Sequence, residues 1–123
     1  MKMIPIFRCR NMQQAINFYT TILDFELKEA GASADDWVVA LKNGDAELML
    51  TSLEGDQKIG IAANVLVQDI DNLFEKYLSR GLDTSSKESS PVHQGPLDQS
   101  WGNREFYVTD ADGNTLRFVQ ENT

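Results

Sequence analysis

The chain consists of two successive copies of one pattern, and this duplication restricts the possible folds more than any single motif does. The helix start Asn11-Met12 corresponds to Asp69-Ile70, and in the later strands Leu48 corresponds to Leu116. Each copy has the order strand, helix, strand, strand, strand. The sequence therefore predicts an α+β fold of two tandem βαβββ modules, about residues 1–54 and 58–123, within one domain spanning 1–123.

Each copy ends in a predicted β-hairpin. In the second copy, two apolar-rich runs at 104–109 and 114–120 flank a turn that ends at Gly113, a residue that tolerates the positive φ of a tight turn. The first copy repeats this pattern over 37–50, with Gly44 in the turn. We expect these hairpins to form part of a largely antiparallel sheet.

Strands are also predicted at 3–9, 25–28 and 59–67, with a weaker one at 82–87. Apolar residues at helical spacing follow Asn11 and Asp69, so these two residues are predicted to cap helices, the second of which should stop at Gly81. Residues 88–102 contain two prolines and are predicted to be a long irregular loop, which in so short a chain favours a functional role.

Strand alternation divides the side chains into two faces. The face predicted to pack under the helices is apolar: Phe7, Cys9, Leu48, Leu50, Val65, Val67, Phe106, Leu116 and Phe118. The opposite face mixes apolar and charged residues: Ile4, Ile6, Glu47, Met49, Ala62, Asn64, Glu105, Tyr107, Thr115 and Arg117. The sequence therefore predicts a curved sheet around a wet cleft, with the helices on the outer face.

The net charge of −8 argues against nucleic acid or an anionic membrane as a partner and favours cationic ligands. No apolar run is long enough for a transmembrane helix, and the N-terminus lacks the apolar segment of a signal peptide. The single cysteine, Cys9, cannot form an internal disulfide and is expected to be buried. These features predict a cytoplasmic protein.

Several motifs resemble the vicinal oxygen chelate superfamily, which includes glyoxalase I, extradiol dioxygenases, and fosfomycin and bleomycin resistance proteins. They are the βαβββ duplication, Phe18-Tyr19, Leu23-Asp24-Phe25 and Asp110-Ala111-Asp112-Gly113-Asn114. The bleomycin resistance proteins are the most similar subgroup, through Trp101-Gly102, Arg104-Glu105-Phe106 and Phe118-Val119. The resemblance implies a symmetric homodimer, swapped or intertwined, in which both chains build each of two ligand clefts.

Enzymes of this superfamily hold a divalent metal with His and Glu side chains from the first and fourth strands of each module. The corresponding positions here are Ile4, Met49, Ala62 and Arg117, none of which is a plausible ligand for such a cation. The only histidine, His93, lies in the long loop and is interpreted as a solvated residue. We therefore expect no metal, no cofactor and no catalytic residue.

The leading hypothesis is an antibiotic-binding protein that sequesters a planar, cationic small molecule, as in bleomycin resistance. The predicted ligand-binding residues supply aromatic rings, charges and polar groups: Trp37, Trp101, Asp35, Asp36, Glu47, Met49, Asn64, Glu105, Tyr107 and Arg117. The alternative is a glyoxalase-like metalloenzyme with a non-standard metal site. A metabolite-binding sensor or accessory protein is a third possibility.

Overall fold

Two four-stranded sheets with the same strand order form the fold. In the computed structural model, residues 1–55, 59–84 and 91–121 are described. The first sheet contains β1 (Ile6–Arg8), β2 (Glu26–Leu27), β3 (Val38–Asn43) and β4 (Ala46–Thr51), in the order β1-β4-β3-β2. The second contains β5 (Ala62–Leu66), β6 (Leu97–Asp98), β7 (Asn103–Thr109) and β8 (Thr115–Glu121), in the order β5-β8-β7-β6. The predicted α+β fold with two βαβββ modules is confirmed.

The chain divides into two compact units, one of residues 1–61 and 110–114, the other of 62–109 and 115–123. Within each sheet the first strand pairs in parallel with the last, and the other pairings are antiparallel. A parallel pair needs a long crossover connection, which the helix and the two strands between the paired strands provide. In the described part of the chain, no helix is long and apolar enough to cross a membrane.

Helix α1 (Met12–Asn17) begins as predicted, because the Asn11 side chain accepts a 2.9 Å hydrogen bond from the backbone N–H of Gln14. The helix continues into a π-helical segment, Phe18–Ile22. Tyr19 on this segment is buried, and its ring makes an edge-on contact with Phe25 at 5.8 Å between centroids. The aromatic pair anchors the helical segment to the first unit.

Helix α2 (Ile70–Ser79) begins differently from the prediction. Asp69 has a left-handed backbone, with φ of 52°, and its side chain makes no capping hydrogen bond. A capping side chain normally needs an extended backbone to reach the first turn, so the prediction for Asp69 is wrong. Gln120 on β8 takes its place, accepting a 2.8 Å hydrogen bond from the N–H of Ile70. The predicted stop is confirmed, since Gly81 has a φ of 95° directly after the helix.

The prediction of a weak strand at 82–87 is also wrong for its first three residues. Residues 82–84 form no strand, and 85–87 lie outside the described residues. The edge strand beside β7 is instead β6, within the predicted irregular loop, where Leu97 pairs with Glu105 and Asp98 with Arg104. A two-residue strand carries no readable alternation, so its position depends on the pairing edge that β7 offers.

Aromatic rings form the core of the second unit. Phe106 and Phe118 stack across the β7–β8 pair with centroids 4.9 Å apart, and Phe74 and Tyr77 of α2 cover them at 5.1 and 5.6 Å. Seven of the nine predicted core residues are buried: Phe7, Cys9, Leu48, Leu50, Phe106, Leu116 and Phe118. Val65 and Val67 are only partly buried, because α2 packs on β7 and β8 and leaves the edge strand β5 less covered.

The turn at 110–114 is held by a buried polar network within the first unit. Asp110 accepts a 2.8 Å hydrogen bond from the Tyr19 hydroxyl and further bonds from the backbone N–H groups of Asp112 and Asn114. Asn114, which is fully buried, donates to the Arg8 carbonyl at 2.8 Å. Burial, together with the neighbouring Asp110, raises the pKa of Tyr19 above its ordinary value. The turn therefore has a structural role.

Cys9 lies next to this turn and is 1% exposed, which confirms the expected buried thiol. Burial raises its pKa to about 11, with the nearby Asp112 and Asp110 adding to the effect. A thiol with so high a pKa remains protonated near neutral pH and is a poor nucleophile.

Candidate functional site

The candidate site lies on the face of the second sheet that points away from α2, and Glu105 on β7 is at its centre. Glu105 is 3% exposed, so its carboxylate needs hydrogen-bond donors from the protein. The indole N–H of Trp101 donates to Oε2 at 2.9 Å, and the hydroxyl of Tyr107 donates to Oε1 at 2.9 Å. Arg117 contributes a positive charge 3.9 Å from Oε1.

Trp101 presents most of its surface to solvent even though its N–H is engaged, since the residue is 60% exposed. It lies in a short loop between β6 and β7, in which the N–H of Gly102 bonds to the carbonyl of Gln99 at 3.0 Å. Gly102 has a φ of 99°, which a residue with a side chain rarely adopts. The loop and Glu105 thus hold an exposed aromatic ring in a defined position.

Tyr107 and Arg117 face each other directly across the β7–β8 pair. The guanidinium lies over the tyrosine ring, 4.7 Å from its centroid, and one of its terminal nitrogens donates a 2.6 Å hydrogen bond to the tyrosine hydroxyl. Desolvation raises the pKa of Tyr107, the hydrogen bond from Arg117 opposes this rise, and the hydrogen bond to Glu105 adds to it. Asn64 on β5 is the cross-strand neighbour of Arg117 and is exposed.

His93 lies beside this cluster, contrary to its interpretation as a solvated loop residue. Its Nε2 is 2.7 Å from the Thr109 hydroxyl, which in turn is 2.8 Å from the Thr115 hydroxyl. The imidazole also makes an edge-on contact with the Tyr107 ring at 5.8 Å. A short 3₁₀ helix, Pro91–His93, positions the ring. The only sequence signal was the length of the surrounding loop.

In the first unit, Glu47 on β4 pairs with two lysines. Its carboxylate accepts hydrogen bonds from Lys2 and, at 2.7 Å, from Lys28. These bonds lower the pKa of Glu47 to about 2. Met49 lies two residues further along β4, on the same face, and its strand neighbours are Ile6 on β1 and Ala40 on β3. The charge of Glu47 is thus balanced within the unit.

The other three predicted residues of the first unit follow one another in the sequence. Trp37, directly before β3, is 67% exposed. Asp36 caps a turn, accepting a 3.0 Å hydrogen bond from the N–H of Ser33, and Asp35 is exposed. The arrangement places an exposed ring next to two exposed carboxylates.

The structure thus brings together Trp101, Glu105, Tyr107 and Arg117, with Asn64 adjoining Arg117. Glu105, predicted to attract a ligand cation, is instead enclosed by Trp101, Tyr107 and Arg117. Within this cluster Trp101 is 60% exposed and the side chain of Arg117 is 40% exposed. Such a surface can stack on a flat ring and donate hydrogen bonds.

The described residues include no cluster of three or more His, Cys, Asp or Glu side chains placed to hold a metal ion. The superfamily's metal positions were expected at Ile4 and Met49 in the first unit and at Ala62 and Arg117 in the second.

Residues 5–118 match the family model for the glyoxalase/bleomycin resistance protein/dioxygenase superfamily. The chain belongs to this superfamily. The resemblance predicted from the sequence motifs is therefore confirmed.

Solved structures of the superfamily share the fold over almost the full chain. A bleomycin-binding protein in complex with bleomycin has a TM-score of 0.77 and 21% identity, covering 98% of both chains. A transposon-encoded bleomycin resistance determinant has a TM-score of 0.79 and 21% identity, covering 100% of this chain and 99% of its own. The bleomycin-binding protein of Streptomyces verticillus, in complex with copper(II)-bleomycin, has a TM-score of 0.70 and 22% identity, covering 100% of this chain and 96% of its own. No curated protein sequence matched.

Proposed function

We propose that this protein binds and sequesters a planar, cationic small molecule of the bleomycin class, without chemical conversion. The observation that carries the proposal is the exposed indole of Trp101, whose N–H is fixed by the buried carboxylate of Glu105. A solvent-exposed tryptophan of this kind offers a large apolar face for a planar heteroaromatic ring. Stacking of this type contributes about 0.5–1.5 kcal/mol beyond area burial.

Three solved relatives support the ligand class, since two are described as bleomycin-binding proteins and one as a bleomycin resistance determinant. The charge of the chain supports a cation, because a net charge of −8 attracts positive ligands over long range. Asp35 and Asp36, both exposed, add negative charge to the surface of the first unit beside Trp37. Glu47 contributes less, because Lys2 and Lys28 already balance its charge.

Residue chemistry favours binding over metal-dependent catalysis. At the positions where the resemblance places metal ligands, Ile4 and Ala62 have no lone pairs and Arg117 has no acceptor atom. The thioether of Met49 is too soft for the hard divalent cations. The alternative, a glyoxalase-like enzyme, would have to take its metal ligands from side chains at other positions than these four.

We also propose a homodimer in the cytoplasm. Each unit exposes large apolar residues on or beside its sheet, namely Ile6, Trp37 and Val38 in the first and Leu66, Leu97 and Trp101 in the second. A sheet surface that exposes apolar side chains of this size would be covered in a dimer. Light scattering after size-exclusion chromatography tests the dimer directly: a mass of one chain at micromolar concentration would contradict it.

Calorimetric titration with metal-free bleomycin tests the ligand class. We expect a saturable heat at micromolar concentrations, and its absence would contradict binding of this class.

Elemental analysis of the purified protein tests the enzymatic alternative. Stoichiometric zinc, nickel, iron or manganese that survives dialysis would favour the metalloenzyme.

A further inference from the structure

We propose that the site also binds planar ligands that carry an acidic group beside the ring, and that Arg117 binds this group. The inference rests on the proposed function, because it assigns a second contact to a ligand that stacks on Trp101. It adds a specificity-determining residue and a chemical class: a flat aromatic compound with a carboxylate or a similar oxyanion. Such a ligand can be cationic overall and still carry one anionic substituent.

Arg117 is held in place before any ligand arrives. One terminal nitrogen donates to the Tyr107 hydroxyl at 2.6 Å, and the guanidinium stacks on the same ring at 4.7 Å. Two simultaneous contacts with one tyrosine restrict the rotation of a long side chain. A preorganised guanidinium loses less conformational entropy when it binds an anion.

Most of the hydrogen-bonding capacity of Arg117 is unused within the described residues. A guanidinium has five N–H donors, and the bond to Tyr107 uses one of them. Its Nε is covered by the protein and has no hydrogen-bond partner among these residues. Because the side chain is nevertheless 40% exposed, atoms other than Nε remain accessible to a ligand.

Arg104, the other arginine of this hairpin, shows the contrast. Its guanidinium forms a two-point contact with Asp71, at 3.0 and 2.7 Å, and a further contact with Asp98 at 3.2 Å. These two carboxylates accept hydrogen bonds from the Arg104 guanidinium, as is typical of a structural ion pair. Arg117 has no comparable two-point carboxylate partner in the part of the chain described by the structure.

Glu105 does not fill that role. Both of its oxygens already accept hydrogen bonds at 2.9 Å, from Trp101 and from Tyr107, while Arg117 lies 3.9 Å away. That distance is beyond a hydrogen bond, so Glu105 balances charge without satisfying the donors. The same carboxylate contacts both Trp101 and Arg117, which places the stacking surface and the cation next to each other.

A carboxylate attached to a flat ring matches this pair of groups. The ring would lie against the indole, and the carboxylate oxygens would accept from the guanidinium, whose fork geometry fits a carboxylate at two points. The test therefore compares two probes of the same shape that differ in charge, 2-naphthoate and 2-naphthamide. Both titrations monitor the indole N–H resonance of Trp101 at about 0.15 M salt, where charges beyond ~8 Å are screened.

We expect the wild-type protein to bind 2-naphthoate at least about tenfold more tightly than 2-naphthamide. Arg117→Gln should reduce this preference to less than about twofold, mainly by weakening the binding of 2-naphthoate. Arg80→Gln is the matched control, because it changes the net charge equally at an exposed position after α2. It should keep the preference, which excludes a long-range charge effect.

Equal affinities in the wild-type protein would overturn the inference, and this comparison does not depend on the folding of any variant. A preference that survives in Arg117→Gln would overturn it as well. If 2-naphthamide binds through Trp101 and the carboxylate adds nothing, the proposed function stands and only the acidic group is wrong. Failure of both probes would overturn the inference, and the bleomycin titration would then decide the proposed function separately.

Discussion

The indole N–H of Trp101 donates a 2.9 Å hydrogen bond to Glu105, and yet Trp101 is 60% exposed whereas Glu105 is 3% exposed. A buried carboxylate thus fixes the N–H edge of an aromatic residue that remains largely exposed to solvent. Holding an exposed ring in one orientation costs side-chain entropy, which the charged hydrogen bond offsets. This relationship is the basis of the proposed ligand site.

Replacing Trp101 with alanine should abolish saturable bleomycin binding in calorimetry. Because the ring is mostly exposed, the free energy of unfolding should change by no more than about 1–2 kcal/mol. Leu78→Ala, at a partly exposed position on α2, is the control and should leave binding unchanged. Collapse of the Trp101→Ala fold in urea titrations would show that the residue is structural.

Glu105→Gln should loosen the site. The two donors lie at different oxygens of Glu105, and glutamine replaces one of these oxygens with an NH2 group that cannot accept, so one of the two hydrogen bonds is lost. The substitution also removes the negative charge beside Arg117. We expect a loss of about 1–3 kcal/mol in unfolding free energy, measured by urea denaturation, together with a shift in tryptophan emission. Glu75→Gln, on the exposed side of α2, provides the charge-matched control. Unchanged stability and emission in Glu105→Gln would contradict the central position assigned to Glu105.

Tyr19→Phe should destabilise the first unit without affecting ligand binding. The substitution removes the 2.8 Å hydrogen bond to Asp110, which is only 9% exposed. Loss of a donor to a buried carboxylate costs about 1–3 kcal/mol, which thermal or urea denaturation will detect. Bleomycin affinity at a temperature where the variant is folded should equal that of the wild type. A stability equal to the wild type would show that the network around the 110–114 turn is unimportant.

Glu47 should contribute a pH-dependent part of the stability. Hydrogen bonds from Lys2 and Lys28 lower its pKa from 4.5 to about 2. Because the folded-state pKa is depressed, the contribution is fully present above about pH 5 and is lost as the pH falls towards 2. The difference in unfolding free energy between the wild type and Glu47→Gln should therefore be constant near neutrality and shrink below pH 4.5. A difference independent of pH would contradict this pairing.

The sequence predicted the topology well because the fold depends on local signals that occur twice. Hairpin alternation, the turn glycines and the capping residue Asn11 are each readable within a few residues. Aspartate is a common helix-capping residue, but the backbone of Asp69 is left-handed and its side chain does not cap α2. Gln120, 51 positions further along the chain, accepts the hydrogen bond instead. Tertiary contacts of this kind are not visible in a local pattern.

The sequence predicted which residues form the candidate site, but not the role that each residue has in it. Alternation placed Glu105, Tyr107 and Arg117 on one face, and their cross-strand register follows from the Gly113 turn. The burial of Glu105 could not be predicted, because it depends on how the Trp101 loop folds back onto β7. The position of His93 depends in the same way on a loop with no periodic pattern.

The most direct test of the proposed site is the indole N–H resonance of Trp101 during titration with metal-free bleomycin. The protein has two tryptophans, so Trp37→Phe assigns the two indole signals of ¹⁵N-labelled protein. We predict that the Trp101 signal shifts saturably as bleomycin approaches one equivalent per site. A Trp101 signal that does not move in excess bleomycin would contradict the account.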